Sequence, residues 1–148
     1  MTGTAPPATE DPTTGSRLTT AMMARDRASA ALGMVVEHDD PGHAVVSLEV
    51  TEDMLNGFAI THGGVVFSLA DTAFALACNE DDRVTVASGA DITFLKPTTA
   101  GQRLTATAVR KVRNGRSGLY DVTVTDETGA TVAEMRGRSR ITDLPSPL

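Results

Sequence analysis

Tryptophan is absent from this 148-residue chain, and aromatic residues amount to four phenylalanines and one tyrosine. A core without large rings must be built of Val, Ala, Leu and Met. Cysteine is nearly absent too. Cys78 stands alone, which excludes an internal disulfide and fits a reducing compartment. Such a lone cysteine reads as a small buried hydrophobe rather than a reactive thiol. Basic residues are in the minority, with 13 Lys and Arg against 19 Asp and Glu, a net charge of -6 and a pI near 4.9. A nucleic-acid binder would normally show a basic face, so nucleic acid is not an expected partner. No apolar run is long enough to span a membrane, and the N-terminus lacks the apolar core of a secretion signal. A cytoplasmic protein with no membrane partner is expected. No repeat is visible, and the length suits one domain with a real core.

What is present is a long apolar stretch from Asn56 to Asn79, opened by His62-Gly63-Gly64. Val66, Leu69, Ala70, Ala73, Phe74 and Ala77 recur at helical spacing, and Val65, Phe67 and Leu76 extend the apolar surface nearly all round. A helix of that kind is normally buried on most sides. One polar stripe survives in it, formed by Ser68, Asp71, Thr72 and Asn79. Asp71 is the only ionisable side chain within about four turns. A carboxylate so placed either faces solvent along an amphipathic surface or sits in a site that partners it, because burying it bare is expensive. At the helix start the two glycines allow a tight turn and leave amide N–H groups unshielded. Helix N-termini attract anions and developing negative charge through such amides.

Taken together, Asn-Gly, then His-Gly-Gly, then Ser-Leu-Ala-Asp-Thr-Ala-Phe-Ala and Ala-Cys-Asn resemble the PaaI-type branch of the hotdog-fold acyl-CoA thioesterases, from the phenylacetate pathway. The likeness runs from about Ala31 to Ile141. It implies an α+β hotdog fold, in which an antiparallel sheet of five or six strands wraps around one long helix. It implies a homodimer, often a dimer of dimers, acting on an acyl-CoA with no separate cofactor and no metal.

The rest of the chain agrees with that fold. Residues 1–16 read as a disordered tail of Thr, Pro, Gly and acid. A single domain is expected over 17–142, followed by a frayed tail at 143–148. Thr19 to Leu32 reads as one short helix, capped by Thr19 or Thr20 and closed by Gly33. Strands are expected from Met34, around Val46–Val50, over Val84–Leu95, over Arg103–Val112, around Tyr120–Val124 and over Ala133–Ile141, by alternation of apolar and polar residues. Asp39-Asp40-Pro41-Gly42 and Asp126-Glu127-Thr128-Gly129 read as turns, and Asn114-Gly115 is the strongest hairpin signal. Strands around a single helix, without βα alternation, point to an antiparallel α+β sheet.

Geometry bears on the site as well. Gly63 and Asp71 are eight residues apart, about 12 Å along a helix axis. Donor and base must each approach their reacting atoms to about 3 Å. One helix can hardly place both on one carbonyl, whereas two antiparallel helices about a twofold axis can. If both groups are catalytic, the chain is an obligate symmetric dimer.

By analogy with the family, the Gly63 N–H holds the oxyanion of the thioester carbonyl, and Asp71 is either general base on water or nucleophile. The leaving thiolate needs little acid help. Asn56 holds the carbonyl or the attacking water, or is simply a turn residue. His62 orders the loop, Ser88 on an inward strand face orients water beside Asp71, and Thr72 bonds partners of Asp71 or caps a groove. Gly64 and Phe67 line the substrate, Phe58, Phe74 and Phe94 being the other bulky residues at hand. Lys96 and the hairpin cations Arg110, Lys111, Arg113 and Arg116 are candidates for the nucleotide phosphates, or are ordinary solvated charges. The acyl group suggested by the family is ring-bearing, such as a hydroxylated phenylacetyl. A non-catalytic acyl-CoA-binding protein and an acyl-thioester dehydratase on the same fold are the competing readings; the second would need His62 to move protons.

Overall fold

The computed structural model describes residues 17–147. The expected tail over 1–16 and the final Leu148 lie outside the described residues. The elements in chain order are α1 (Leu18–Arg25), α2 (Arg27–Ala31), β1 (Val35–Asp40), β2 (His43–Glu49), α3 (Gly63–Cys78), β3 (Thr85–Phe94), β4 (Arg103–Asn114), β5 (Ser117–Thr125) and β6 (Thr131–Ile141). The six strands form one sheet in the order β1-β2-β4-β5-β6-β3, every neighbour antiparallel. It curves around α3, which packs mainly on β2, β4 and β5. This is the hotdog arrangement, α+β with one long helix inside an antiparallel sheet.

Alternation in the strands builds the core. Val46 and Leu48, then Leu104, Ala106 and Ala108, then Tyr120, Val122 and Val124 are buried under Leu69, Ala70, Ala73, Phe74, Leu76 and Ala77 of α3. Each large side chain so buried contributes about 1.5–3 kcal/mol. The shortage of rings shows in the packing: among the described residues the only large aromatic pair inside is Phe74 against Tyr120, centroids 5.5 Å apart at 53°. Gly137 on β6 makes room for it, since a Cβ there would lie 2.8 Å from the Phe74 ring.

The C-terminal end of α3 is fastened by Glu80. Its carboxylate accepts from Arg110 Nη1 at 2.8 Å, Arg113 Nη1 at 2.9 Å and Tyr120 Oη at 3.0 Å. Beside it, Asn79 accepts the Thr85 N–H and donates to the carbonyls of Ala75 and Thr85. The helix end and the start of β3 are thereby locked together.

Three expectations need correction. The helix expected over Thr19–Leu32 is two helices. Asp26, at φ −79° and ψ 92°, leaves helical geometry, and its carboxylate accepts the Ser29 N–H at 2.8 Å as N-cap of α2. Thr19 caps nothing; its hydroxyl donates to Asp39 on β1. The hairpin turn lies one residue later than the Asn-Gly signal suggests. Asn114 pairs with Ser117, leaving Gly115 and Arg116 as the two turn residues, with Gly115 at φ 60°. Glycine first in a two-residue turn is the type II′ pattern.

The third correction concerns Ser88. The sequence alternation put Val84, Val86 and Ser88 in one inward row with Ala90, Ile92 and Phe94. A bulge between Ala87 and Gly89 breaks the phase. The β3 residues paired with the buried β6 positions Ile141, Ser139, Gly137, Met135 and Ala133 are Thr85, Ala87, Ala90, Ile92 and Phe94. Ser88 is the extra residue of the bulge, exposed, with its Oγ donating to the Arg138 carbonyl.

Two strands end the sheet. β1 carries Glu37, His38, Asp39 and Asp40, the kind of charged edge that discourages further pairing. β3 carries one charge, Asp91, over ten residues, and Val86, Phe94 and Leu95 are exposed along it.

Candidate active site

The start of α3 is built by the loop before it. Leu55 and Thr61 form an isolated antiparallel bridge that closes the loop. Asn56 accepts the N–H groups of Phe58 at 2.9 Å and Ile60 at 3.4 Å through Oδ1. Ala59 sits at φ 59°, a left-handed setting that a non-glycine residue holds only when its surroundings fix it. Asn56 is thus a turn residue, and its Nδ2 remains without a partner among the described residues. The loop places Phe58 outward, 87% exposed.

His62 is the N-cap of α3. Its Nδ1 accepts the Gly64 N–H at 2.8 Å, and its own N–H donates to the Met54 carbonyl at 2.8 Å. With Nδ1 an acceptor, the proton of the neutral ring is on Nε2. Val65 and Val66 donate to the His62 carbonyl. The Gly63 N–H is left as the one first-turn amide with no acceptor among the described residues. The two glycines therefore differ: Gly64 is occupied by the cap, and Gly63 presents a free donor on the helix dipole.

Gly63 and Asn56 share a cleft of about 460 Å³ with Ile60, Val66, Phe94, Leu95, Pro97, Thr98 and Val132. Phe94 was among the bulky residues at hand in the sequence, whereas Leu95, Pro97 and Thr98 carried no local signal, because the loop after β3 reaches α3 only in the folded chain. Lys96 also lines this cleft, with its ammonium ion-paired to the buried Asp126.

Asp71 lies elsewhere. It borders a second cleft of about 200 Å³ between α2 and α3, with Asp26, Ala28, Ser29, Leu32, Met34, Phe67, Ser68 and Thr72. It is half-buried and makes no hydrogen bond or ion pair among the described residues. Its carboxyl is held above the ordinary value, first by desolvation and then by the neighbouring charge of Asp26. A desolvated, unpartnered carboxylate in a cleft is a candidate functional group. Thr72 shares the cleft but points its hydroxyl at Ser29 Oγ, 3.0 Å away. Ser88 is in neither cleft; it borders a depression with Val112, Asn114, Leu119 and Arg138.

The cations of the β4–β5 hairpin are largely committed. Arg110 pairs with Glu80, Arg113 with Glu80 and Asp81, and Arg116 with Asp143 and the Ile141 carbonyl. Lys111 alone of the four is exposed with no ion pair among the described residues. Acidic residues distant in sequence neutralise the cluster that looked basic along the chain. Cys78 is buried and its thiol is pushed up to about 12, chiefly by desolvation, so it is chemically quiet.

Comparison with known proteins places these features in a family. A family model described as the thioesterase superfamily matches residues 58–133. The acyl-coenzyme A thioesterase PaaI of Escherichia coli is 46% identical over 119 residues, covering 80% of this chain and 85% of that protein. The solved structure of the E. coli PaaI protein from the phenylacetic acid degradation operon superposes with a TM-score of 0.81 at 45% identity, over 82% of this chain and 88% of that one. The structure of smu.793 from Streptococcus mutans, bound to acetyl CoA, gives a TM-score of 0.71 at 26% identity, over 74% of this chain and 88% of that one.

Proposed function

Because this chain belongs to the thioesterase superfamily, we propose that its two clefts, brought together in a symmetric dimer, hydrolyse acyl-CoA thioesters to free acid and coenzyme A. It is a thioester hydrolase by family; the acyl-CoA substrate and the residue roles are the reading offered here. The observation that carries it is that Gly63 and Asp71 border different clefts of one chain. The free Gly63 donor opens one cleft and the unpartnered Asp71 carboxylate borders another. Each is half of a site.

The edge strand β3, nearly uncharged and flanked by exposed Val86, Phe94 and Leu95, is the natural seam for a twofold partner. Pairing there sets the two α3 helices antiparallel, Gly63 of one protomer opposite Asp71 of the other. A further pairing into a dimer of dimers would use another face, because the first pairing consumes the β3 edge. In the joined site the Gly63 N–H polarises the thioester carbonyl and holds its oxyanion. Asn56 Nδ2 supports the carbonyl or the water from the same side. Asp71 removes the proton of the attacking water, and the thiolate leaves without a general acid. Val66, Phe94, Leu95, Pro97 and Val132 make the donor cleft apolar, which suits a ring-bearing acyl group such as phenylacetyl or its hydroxylated forms. Against a dehydratase stands His62, whose Nδ1 is occupied by the helix cap.

The test mixes the protein with a panel of acyl-CoAs and a thiol-trapping dye. Steady release of thiol, fastest with arylacetyl-CoA, is expected. A changed acyl chain without free thiol would favour the dehydratase, and binding without either change a non-catalytic role. Size measurement in solution should give no stable monomer.

A further inference from the structure

The polarity of the hydrogen bonds around Asp71 is fixed by elementary valence. The Asp26 carboxylate, when ionised, only accepts. Ser29 Oγ lies 2.6 Å from Asp26 Oδ2, so the single Ser29 hydroxyl proton is donated there. Ser29 Oγ also lies 3.0 Å from Thr72 Oγ1. With its own proton committed, Ser29 accepts, and the Thr72 hydroxyl must donate. Thr72 Oγ1 is left with lone pairs alone for any further partner. Ser68, on the same cleft, is in a like state, its proton donated to the Gly64 carbonyl at 2.7 Å. The remaining lining side chains, Ala28, Leu32, Met34 and Phe67, are apolar. The side chains of the Asp71 cleft therefore present acceptors and no donors. A substrate carbonyl finds no side-chain donor there. A water molecule, carrying two protons, does.

We propose that Asp26, Ser29 and Thr72 form a positioning relay that fixes Thr72 Oγ1 as a proton acceptor, so that the attacking water gives one hydrogen bond to Asp71 and the other to Thr72. Both water protons are then directed into the cleft and a lone pair faces outward to the thioester carbonyl. As the C–O bond forms, the Asp71-bound proton moves to the carboxylate, the C–S bond breaks with its electron pair on sulfur, and the proton on Asp71 is released to the thiolate or solvent. Asp71 acts on water in this arrangement, which favours the general-base role over an anhydride. Sequence reasoning missed the relay because the Asp26 cap was hidden inside what read as one continuous helix. The inference rests on the reading of Asp71 as the catalytic carboxylate.

The test compares wild type, Thr72→Val, Thr72→Ser and Asp71→Asn in steady-state hydrolysis of an arylacetyl-CoA and, if that is not turned over, the best acyl-CoA of the panel. Thr72→Val keeps shape and removes the acceptor. It should lower kcat by about tenfold or more, less than the roughly 10²–10⁴ of a group that transfers the proton itself because Thr72 only positions the water, with KM unchanged, and Thr72→Ser should restore most of the loss. If Thr72→Val does not accumulate as folded protein, Ser29→Ala, which frees the Thr72 proton to rotate into the cleft, is read in the same way. Wild-type hydrolysis with an inactive Asp71→Asn but undiminished kcat in Thr72→Val would overturn the relay alone. An active Asp71→Asn, or no hydrolysis by wild type, would overturn the reading of the site and the relay with it.

Discussion

Replacing Gly63 by proline removes one hydrogen-bond donor and puts the ring Cδ where the amide proton pointed. Gly63 is the first residue of α3, where the missing N–H of proline breaks no helical bond and its fixed φ suits the helix. The residue before it, His62, is already at ψ 132°, in the extended range that a following proline demands. The added Cβ meets Phe94 Cζ at 3.2 Å. The contact is with the far end of that ring, which a shift of a few tenths of an ångström relieves. Such a shift should stay within about 0.5 kcal/mol, a factor of about 2–3 in rate. Gly63→Ala carries the same Cβ and keeps the N–H, so it measures the Phe94 contact by itself. Loss of an oxyanion donor costs about 2.7–4 kcal/mol, or about 10²–10³ in kcat. The expected order is wild type close to Gly63→Ala, with Gly63→Pro two to three orders of magnitude below, in a thiol-release assay on acyl-CoA. Thermal unfolding should show Gly63→Pro no less stable than Gly63→Ala, because proline also restricts the unfolded chain. A proline variant within tenfold of the alanine variant would show that the Gly63 amide does not hold the oxyanion.

Asp71→Asn should lose about 10²–10⁴ in kcat while still binding acyl-CoA, checked by turnover and by equilibrium titration; near-normal turnover would make Asp71 structural. The same variant should be more stable than wild type at neutral pH. The native carboxyl is raised above its unfolded value, so the ionised group opposes folding above its native pKa. That advantage should vanish as pH falls through the native pKa toward the ordinary carboxylate range, as urea titrations at several pH values would show. The acid limb of kcat/KM should sit above an unperturbed aspartate, and Asp26→Asn, which keeps a capping side chain, should lower its midpoint; an unmoved midpoint would discount the Asp26 charge. Gly137→Ala should destabilise the fold by about 1–3 kcal/mol, since its Cβ falls 2.8 Å from a fully buried Phe74; unchanged urea denaturation would contradict the packing. Cys78 should resist thiol reagents in the folded protein and react on unfolding, given its burial and its thiol pushed up to about 12; rapid native labelling would contradict it.

Local rules along the chain carried the long helix, the strand alternations and the pairing of a helix-start glycine with a carboxylate eight residues on. Each depends on spacing, which a sequence states outright. Glycine at the α3 start and the apolar run after it leave little else for that segment to become. The break at Asp26, the bulge at Ser88 and the neutralised hairpin cations were decided by tertiary structure. Asp26 could continue a helix or end one, and in the folded chain it caps α2, whose Ser29 packs against Thr72. A bulge shifts every later side chain of β3 to the other face, yet leaves the composition of the strand unchanged. Arg110 and Arg113 look basic beside Lys111 and Arg116, and become part of the core boundary only when Glu80 arrives from the end of α3, some thirty positions away. Spacing fixes what one segment can be; which segments meet depends on how the whole sheet closes over the helix, and charge and hydrogen-bond polarity follow from that closure.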